Sequence, residues 1–146
     1  QARPSVAGRA EGHLLVDVVG IGEQQSETDH AFAGEGSQSG EHQGRRWRHA
    51  SGWFSYQVKV LPDVPVALRC TWWGSDAGNR NFDILVDGQK VATERFENNR
   101  PGEFYDETIA IPAGLTRGKT RVEVRLQPHP GNLAGGLFGL RVVRQQ

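Results

Sequence analysis

Apolar and polar residues alternate along this chain in short runs, which are separated by Gly, Pro, Asn and Asp. A period of two is typical of strands with one buried face, and no stretch keeps the 3.6-residue period of an amphipathic helix. Regularly spaced short strands predict an all-β fold, an antiparallel β-sandwich of the jelly-roll, galactose-binding-like type with about eight strands. The predicted strands cover residues 13–19, 53–60, 66–73, 81–86, 90–96, 104–111, 120–127 and 136–143.

Two segments lie outside this pattern. Residues 1–12 are expected to be a tail or domain boundary, followed by a single β-sandwich domain over residues 13–146. Residues 23–52 are rich in Gly, Ser, Gln, His and Arg without an apolar period, which predicts a long loop. Phe32 and Trp47 are expected to pin this loop onto the sandwich.

Asp87-Gly88 stands between two predicted strands and indicates a tight hairpin, since a type I′ turn needs positive φ at both positions. Alternation also assigns side chains to strand faces. Cys70 and Trp72 point inward, so Cys70 is predicted to be a small core residue rather than a reactive thiol. The other predicted core residues are Phe54, Tyr56, Val58, Val60, Val66, Leu68, Phe82, Ile84 and Val86. The predicted outward residues are Trp53, Ser55, Gln57, Lys59, Ala67, Arg69, Thr71, Trp73, Asn81, Asp83, Leu85 and Asp87.

The segment 72–88 joins a tryptophan pair to a polar Gly/Asp/Asn loop, which suits a site that binds sugars. An aromatic ring covers the apolar C–H face of a sugar at about 25 cal/mol per Å² buried. Polar side chains then orient its hydroxyl groups. The candidate stacking residues are Trp47, Trp53 and Trp73. The candidate polar residues are Arg69, Asp76, Asn79, Arg80 and Asp83.

The same residues also fit a purely structural role. In that interpretation the 23–52 loop covers Trp53 and Trp73, with Trp47 among the covering residues. Arg69 and Asp83 then form an ion pair. The sequence leaves the two interpretations level.

No residue pattern predicts catalysis. Glycoside hydrolysis needs a pair of carboxylates about 5–10 Å apart, and nothing in the spacing of the acidic residues selects one. Ser51 and Ser55 lie near His49, but the strand–Ser–helix elbow of a hydrolase is missing. We therefore expect a domain without enzymatic activity and assign no catalytic residue.

Metal binding is not indicated either. His30, His42 and His49 match no standard ligand spacing. The polar residues of 75–79 and 103–107 could supply oxygen ligands to a structural Ca²⁺. We nevertheless expect no metal and no cofactor.

Charge and composition exclude several functions. Lys and Arg number 17 and Asp and Glu number 17, so the net charge is zero, which argues against nucleic-acid and anionic-membrane partners. No apolar run approaches the roughly 20 residues that span a bilayer. The single Cys70 excludes an internal disulfide and a cysteine-based zinc cluster. The chain begins with Gln and contains no Met, so we expect a processed chain or a piece of a longer one.

Five segments resemble a known family: 22–30, 44–48, 52–56, 73–88 and 129–141. They are similar to the C-terminal β-sandwich domain, often catalogued as a domain of unknown function, of β-L-arabinofuranosidase-type glycoside hydrolases. The resemblance spans most of 23–143. It implies a parent enzyme with an (α/α)₆ catalytic barrel, which is missing from this chain, as are the catalytic glutamate and cysteine-bound zinc of that barrel.

The resemblance also implies a secreted or periplasmic setting, since such enzymes are typically exported and act on plant glycans that contain arabinose. We expect a non-catalytic accessory module of a larger glycoside hydrolase, of carbohydrate-binding type. Its expected partners are the parent catalytic domain and arabinose- or galactose-containing glycans. The alternative is a docking domain without a sugar site, which packs on the catalytic barrel or on a second subunit through its aromatic and Arg residues.

Overall fold

The computed structural model describes residues 14–145, so the expected tail over residues 1–12 lies outside the described residues. Antiparallel strands dominate, which confirms the predicted all-β sandwich. The hairpin at Asp87-Gly88 is confirmed as well, with φ of 47° and 82°. The elements are β1 (Leu15–Val19), α1 (Gln24–Asp29), β2 (Ala33–His42), β3 (Arg45–Lys59), β4 (Val66–Trp73), β5 (Asn81–Val86), β6 (Gln89–Arg95), β7 (Phe104–Ala110), α2 (Ala113–Thr116), β8 (Arg121–Pro128) and β9 (Ala134–Arg144).

The strands form two layers that share hydrogen bonds at one side. The bonded path runs β6-β5-β8-β3-β9-β4-β7, with β1 added to β9 and β2 added to β3. β3 and β9 connect the layers where Arg48 pairs with Leu137 and Ala50 pairs with Ala134. Long β3 therefore belongs to both layers, and its N-terminal half extends to one end of the sandwich.

The core lies between the layers, and Trp72 is its largest fully buried side chain. Its ring centroid lies 5.7 Å from that of Phe82 and 5.2 Å from that of Phe96, so β4 packs directly against β5 and the end of β6. Cys70 is also fully buried, as predicted. The predicted core residues of 53–60, 66–73 and 81–86 are all confirmed.

The outward assignment is wrong for three small residues, Ser55, Ala67 and Thr71, which are buried. Ser55 pairs with Ala33 of β2, and Thr71 donates a hydrogen bond to Asp106 on β7. Neighbouring strands and their side chains cover these short residues on the outer face.

The prediction of a loop over residues 23–52 is wrong. The segment contains α1, β2 and half of β3, and it turns at Gln43-Gly44 with φ of 51° and 77°. β2 has few apolar side chains, and most of its residues are exposed, so no hydrophobic alternation marks it as a strand. Backbone pairing along β3, from Ala33–Ser55 to His42–Arg45, holds it in place.

A buried polar cluster anchors this hairpin to α1. Glu27 is only 6% exposed and accepts two hydrogen bonds from Arg48, at 2.8 and 2.9 Å. Tyr56 donates a further hydrogen bond to the same carboxylate. Phe32 packs against Tyr56 and under the Arg48 guanidinium, at 5.6 Å and 4.1 Å, so its predicted pinning role is confirmed.

Glu94 on β6 is a second buried carboxyl group, and it lies beside Glu107 on β7. Burial raises the pKa of Glu94 to about 9, and the neighbouring Glu107 carboxyl adds to the shift. Glu107 accepts a hydrogen bond from the Trp72 indole at 3.0 Å. The pair thus holds a proton where the edges of the two layers meet.

Because the folded protein holds this proton, we expect its stability to fall as pH rises. Between the ordinary glutamate pKa and about 9, the folded protein binds one more proton than the unfolded chain, so the free energy of unfolding decreases as pH rises. We expect Glu94→Gln to remove most of this slope. Urea unfolding at pH 5 to 9 measures it, with exposed Glu97→Gln as the matched control; parallel profiles for wild type and Glu94→Gln would contradict the assignment.

Candidate functional site

A cavity of about 340 Å³ opens at the end of the sandwich where the β2–β3 hairpin meets β4 and β9. Its volume falls within the range of small-molecule sites. We call it the cavity. Its lining residues are Glu41, His42, Trp47, His49, Trp73, Asp76, Arg80, Gly136 and Phe138.

Backbone hydrogen bonds hold the β4–β5 loop at the cavity wall. The backbone N–H of Asp76 donates to the carbonyl of Trp73, and the carbonyl of Asp76 accepts from Asn98. Gly74 exchanges hydrogen bonds with the 100–103 loop, and any side chain at Gly74 would collide with the Arg100 carbonyl. Glycine is therefore needed for the close approach that fixes Asp76.

Trp47 lies across β2, against the position of Gly40 on the paired strand. A Cβ at Gly40 would stand 2.4 Å from the indole, so only glycine leaves room for the ring. The centroid of Trp47 lies 4.8 Å from that of His49, two residues along β3. The hairpin therefore places one indole and one imidazole on the same wall of the cavity.

Trp73 forms a second aromatic part of the cavity lining. Its ring centroid lies 4.9 Å from that of His42 and 4.7 Å from that of Phe104. Phe104 in turn contacts Phe138 with centroids 4.9 Å apart. All four rings are half-buried, so the cluster is packed on one side and accessible on the other.

Three buried nitrogen atoms at the cavity have no hydrogen-bond partner within residues 14–145: His42 Nε2, His49 Nδ1 and Arg80 Nη1. A buried polar atom without a partner costs about 1–3 kcal/mol, so such atoms are rare in folded proteins. All three residues line the cavity, so a polar ligand bound there is the expected source of partners for them.

The cavity also contains a carboxylate in an unusual environment. Burial raises the pKa of Asp76, and the positive charge of Arg80 opposes the shift. The pKa of His49 is lowered by burial and by the same Arg80 charge. The site therefore brings together a carboxyl group, a guanidinium group and an imidazole whose lowered pKa favours its neutral form.

Four of the predicted site residues meet in the cavity: Trp47, Trp73, Asp76 and Arg80. Asn79 lies on the same loop but is exposed and outside the lining; its backbone carbonyl accepts from Leu133. The structure thus joins half of the predicted set at one end of the sandwich.

Trp53 and Trp73 are both predicted to point outward, but they lie on different layers, because β3 places Trp53 beside β8. Arg125 covers the Trp53 ring, with the guanidinium carbon 4.0 Å from its centroid. The Trp53 indole donates to Glu35 at 2.8 Å. Trp53 is therefore engaged by its own neighbours.

The Arg69–Asp83 ion pair of the purely structural interpretation does not form. Arg69 lies 3.9 Å from Asp106, whereas Asp83 accepts hydrogen bonds from Thr93 and His129. β4 and β5 belong to different layers, so the two side chains face opposite sides of the sandwich. Neither lines the cavity.

Sequence reasoning missed Glu41, His42, His49 and Phe138 as members of this site. The first three stand on the hairpin that was predicted to be a loop, so no strand face could be assigned to them. Two consecutive positive-φ residues, Gln43 and Gly44, form the turn that brings them back over β4. A Gln-Gly pair is a weak signal for such a turn, whereas Asn-Gly or Asp-Gly is a strong one.

Within residues 14–145, no three His, Cys, Asp or Glu side chains come close enough to hold a metal ion. No helix in the same range is long and apolar enough to cross a bilayer. What the cavity offers chemically is a set of rings for stacking together with donors and acceptors for hydroxyl groups.

Comparison with solved structures finds similar folds in other proteins. It is similar to a family 35 carbohydrate binding module from Clostridium thermocellum, with TM-score 0.56 and 11% identity, over 86% of this chain and 95% of that one. It also resembles the plant receptor-like kinase ANX1, with TM-score 0.65 and 10% identity over 89% of this chain. The ANXUR2 extracellular domain from Arabidopsis thaliana matches with TM-score 0.59 and 10% identity over 82%.

The chain spans 42% of the ANX1 chain and 35% of the ANXUR2 chain, but nearly all of the carbohydrate binding module. At these identities the likeness concerns the fold alone. No match was found among curated proteins. A family model, however, matches residues 13–143, and the chain belongs to the family of unknown function DUF6805.

Proposed function

We propose that this chain is a non-catalytic carbohydrate-binding module and that the cavity is its sugar site. Trp47 and Trp73 stack on the apolar face of the sugar. Asp76 accepts hydrogen bonds from the hydroxyl groups of the sugar. Arg80 donates hydrogen bonds to the oxygen atoms of the sugar, and His42 and His49 form hydrogen bonds with its hydroxyl groups. The fold likeness to a carbohydrate binding module supports the class of ligand.

The observation that carries the proposal is the set of partnerless nitrogen atoms on His42, His49 and Arg80 beside two indole rings. A sugar is a ligand that has both an apolar C–H face and several hydroxyl groups, so it satisfies both halves of this lining. A purely apolar ligand would leave the nitrogen atoms unpaired, and a small anion would leave the rings uncovered.

The wider setting is also part of the proposal. The module belongs to a larger glycoside hydrolase whose catalytic barrel lies elsewhere in the parent protein, and it acts outside the cell or in the periplasm. Arabinose- and galactose-containing plant glycans are its ligands. The earlier resemblance to β-L-arabinofuranosidase-type enzymes supports this part, as does the presence of similar folds in an extracellular plant domain.

The first test is a titration of the folded domain with arabinose- and galactose-containing oligosaccharides, followed by tryptophan fluorescence. A saturable change in emission is expected, because a sugar in the cavity alters the surroundings of Trp47 and Trp73. Cello-oligosaccharides serve as a control for unspecific effects. A folded protein that responds to none of the sugars would contradict the proposal.

A docking domain is the second candidate, and one observation favours it. Leu15 and Val18 are large hydrophobic side chains exposed to 41% and 46% in the described part of the chain, and both lie on β1 at the edge of its layer. Exposed apolar residues on an edge strand suit contact with another domain. Binding of the separately expressed catalytic barrel, lost in a Leu15→Ser/Val18→Ser variant, would establish this role.

A further inference from the structure

A groove of about 740 Å³ adjoins the cavity on the outer face of β1, β9, β4 and β7. Phe138 lines both depressions, so they meet at this ring. The tip of the β2–β3 hairpin lies along the same boundary, with Glu41 and His42 facing the cavity and Gly44 to Arg46 lining the groove.

A ridge of aromatic rings connects the two depressions. Trp73 lines the cavity, Phe104 lines the groove, and their centroids are 4.7 Å apart. The centroid of Phe138 lies 4.9 Å from that of Phe104. Since all three rings are half-buried, the ridge offers a continuous apolar surface from one depression to the other.

The groove contributes hydrogen-bonding groups beyond the ridge. The guanidinium carbon of Arg45 lies 4.5 Å from the Phe104 centroid, a contact that uses none of its N–H donors. Further along, Asp106 accepts hydrogen bonds from Thr71 and Arg141, at 2.6 and 2.9 Å. Thr71, Asp106 and Arg141 hold one another in place, so they can bind a ligand at low entropic cost.

The charges along the groove nearly balance. The lining contains three cationic side chains, Arg45, Arg46 and Arg141, and two acidic ones, Glu23 and Asp106. Arg141 is already paired with Asp106. A lining of this kind favours a neutral ligand with many hydroxyl groups over a strongly charged one. Apolar ridge and polar groove together match a chain of sugar units, in which apolar faces and hydroxyl edges repeat.

We propose that the groove is a second part of the binding site and that the ligand is a neutral oligosaccharide chain of several units, not a single sugar. This inference rests on the sugar-binding function proposed for the cavity. One unit occupies the cavity against Trp73, the next crosses the ridge at Phe138, and the following units lie in the groove beside Arg45.

The test is a chain-length series. Isothermal titration uses arabinose and linear arabino-oligosaccharides of two to six units, and in parallel galactose and galacto-oligosaccharides of the same lengths. Affinity is expected to rise by about tenfold or more from the single sugar to the chain that fills the groove, and then to level off. Arg45→Ala should weaken binding of that chain by about tenfold while leaving the single sugar unchanged.

Arg121→Ala is the matched control, since Arg121 is an exposed arginine on β8 outside both depressions. Equal affinity for single sugars and long chains would overturn the inference and leave the sugar-binding function intact. An Arg45→Ala variant that loses all lengths equally, or none, would also overturn it. Absence of binding at every length in both series would remove the function and the inference together.

Discussion

Replacing Trp73 by alanine is expected to weaken glycan binding by about thirtyfold or more, which corresponds to about 2 kcal/mol. The ring lines the cavity and is the centre of its aromatic wall, in contact with His42 and Phe104. Its loss removes the stacking surface and also loosens the two rings beside it. Isothermal titration with the tightest-binding sugar from the oligosaccharide panel measures the effect.

The same contacts mean that Trp73→Ala has a cost in stability. A half-buried indole that packs on two rings should contribute about 1–3 kcal/mol to the free energy of unfolding. Trp53→Ala is therefore the matched control, because Trp53 is also half-buried and packs on Arg125, but lies outside the cavity. We expect both variants to lose stability and only Trp73→Ala to lose binding.

Asp76→Asn tests the polar half of the site without removing volume. Replacing a charged acceptor by an amide should weaken binding by about ten- to a hundredfold. Burial holds the pKa of Asp76 above its ordinary value, so wild-type binding should also weaken in mild acid as this carboxylate takes up a proton. Unchanged affinity in both Trp73→Ala and Asp76→Asn would exclude the cavity as the sugar site.

The fold could be predicted from the sequence wherever one strand face is apolar. β5 alternates strictly, and the predicted core residues of β4 and β5 from Val66 to Val86 are buried as expected. β2 could not be predicted, because most of its Gly, Ser, Gln and Glu residues are exposed and no apolar period marks one buried face. Pairing with β3 across the Gln43-Gly44 turn decides its structure, and neither an apolar period nor a strong turn signal marks that hairpin in the sequence.

The candidate site was predicted in part for the same reason. Trp73, Asp76 and Arg80 stand on β4 and the loop that follows it, so local sequence places them together. Trp53 and Asp83 belong to the other layer, and alternation alone does not say which layer an outward residue occupies. His42 and His49 reach the cavity only through the hairpin that the sequence did not reveal.

The largest effect on stability is expected from loss of the Glu27–Arg48 ion pair, which holds the β2–β3 hairpin. Arg48→Met should lower the free energy of unfolding by about 3–5 kcal/mol, because it leaves the Glu27 carboxylate buried without its cation. The two side chains are only 11% and 8% exposed, and the Arg48 guanidinium also lies over Phe32. Urea unfolding followed by circular dichroism measures the loss.

Lys119→Met provides the contrast, since Lys119 pairs with Asp87 at 2.6 Å but the two side chains are 40% and 30% exposed. We expect that variant to lose less than about 1 kcal/mol, because solvent screens an exposed pair. Ranked by distance alone, the Lys119–Asp87 pair would be the stronger of the two, since it is shorter than the Glu27–Arg48 pair. Equal losses in the two variants would show that burial of the Glu27–Arg48 pair is not what makes it important.

The pH dependence of the Arg48→Met effect separates charge from packing. Burial raises the pKa of Glu27, but hydrogen bonds from Arg48, Tyr56 and the Gly22 N–H outweigh it and hold the pKa below its ordinary value. The stability that this carboxylate contributes is therefore complete above the ordinary glutamate pKa and is lost as pH falls through the lowered one. The difference between wild type and Arg48→Met should shrink over that acid range. A difference that stays constant down to the acid limit would mean that Arg48 stabilises the hairpin through its contact with Phe32 rather than through its charge.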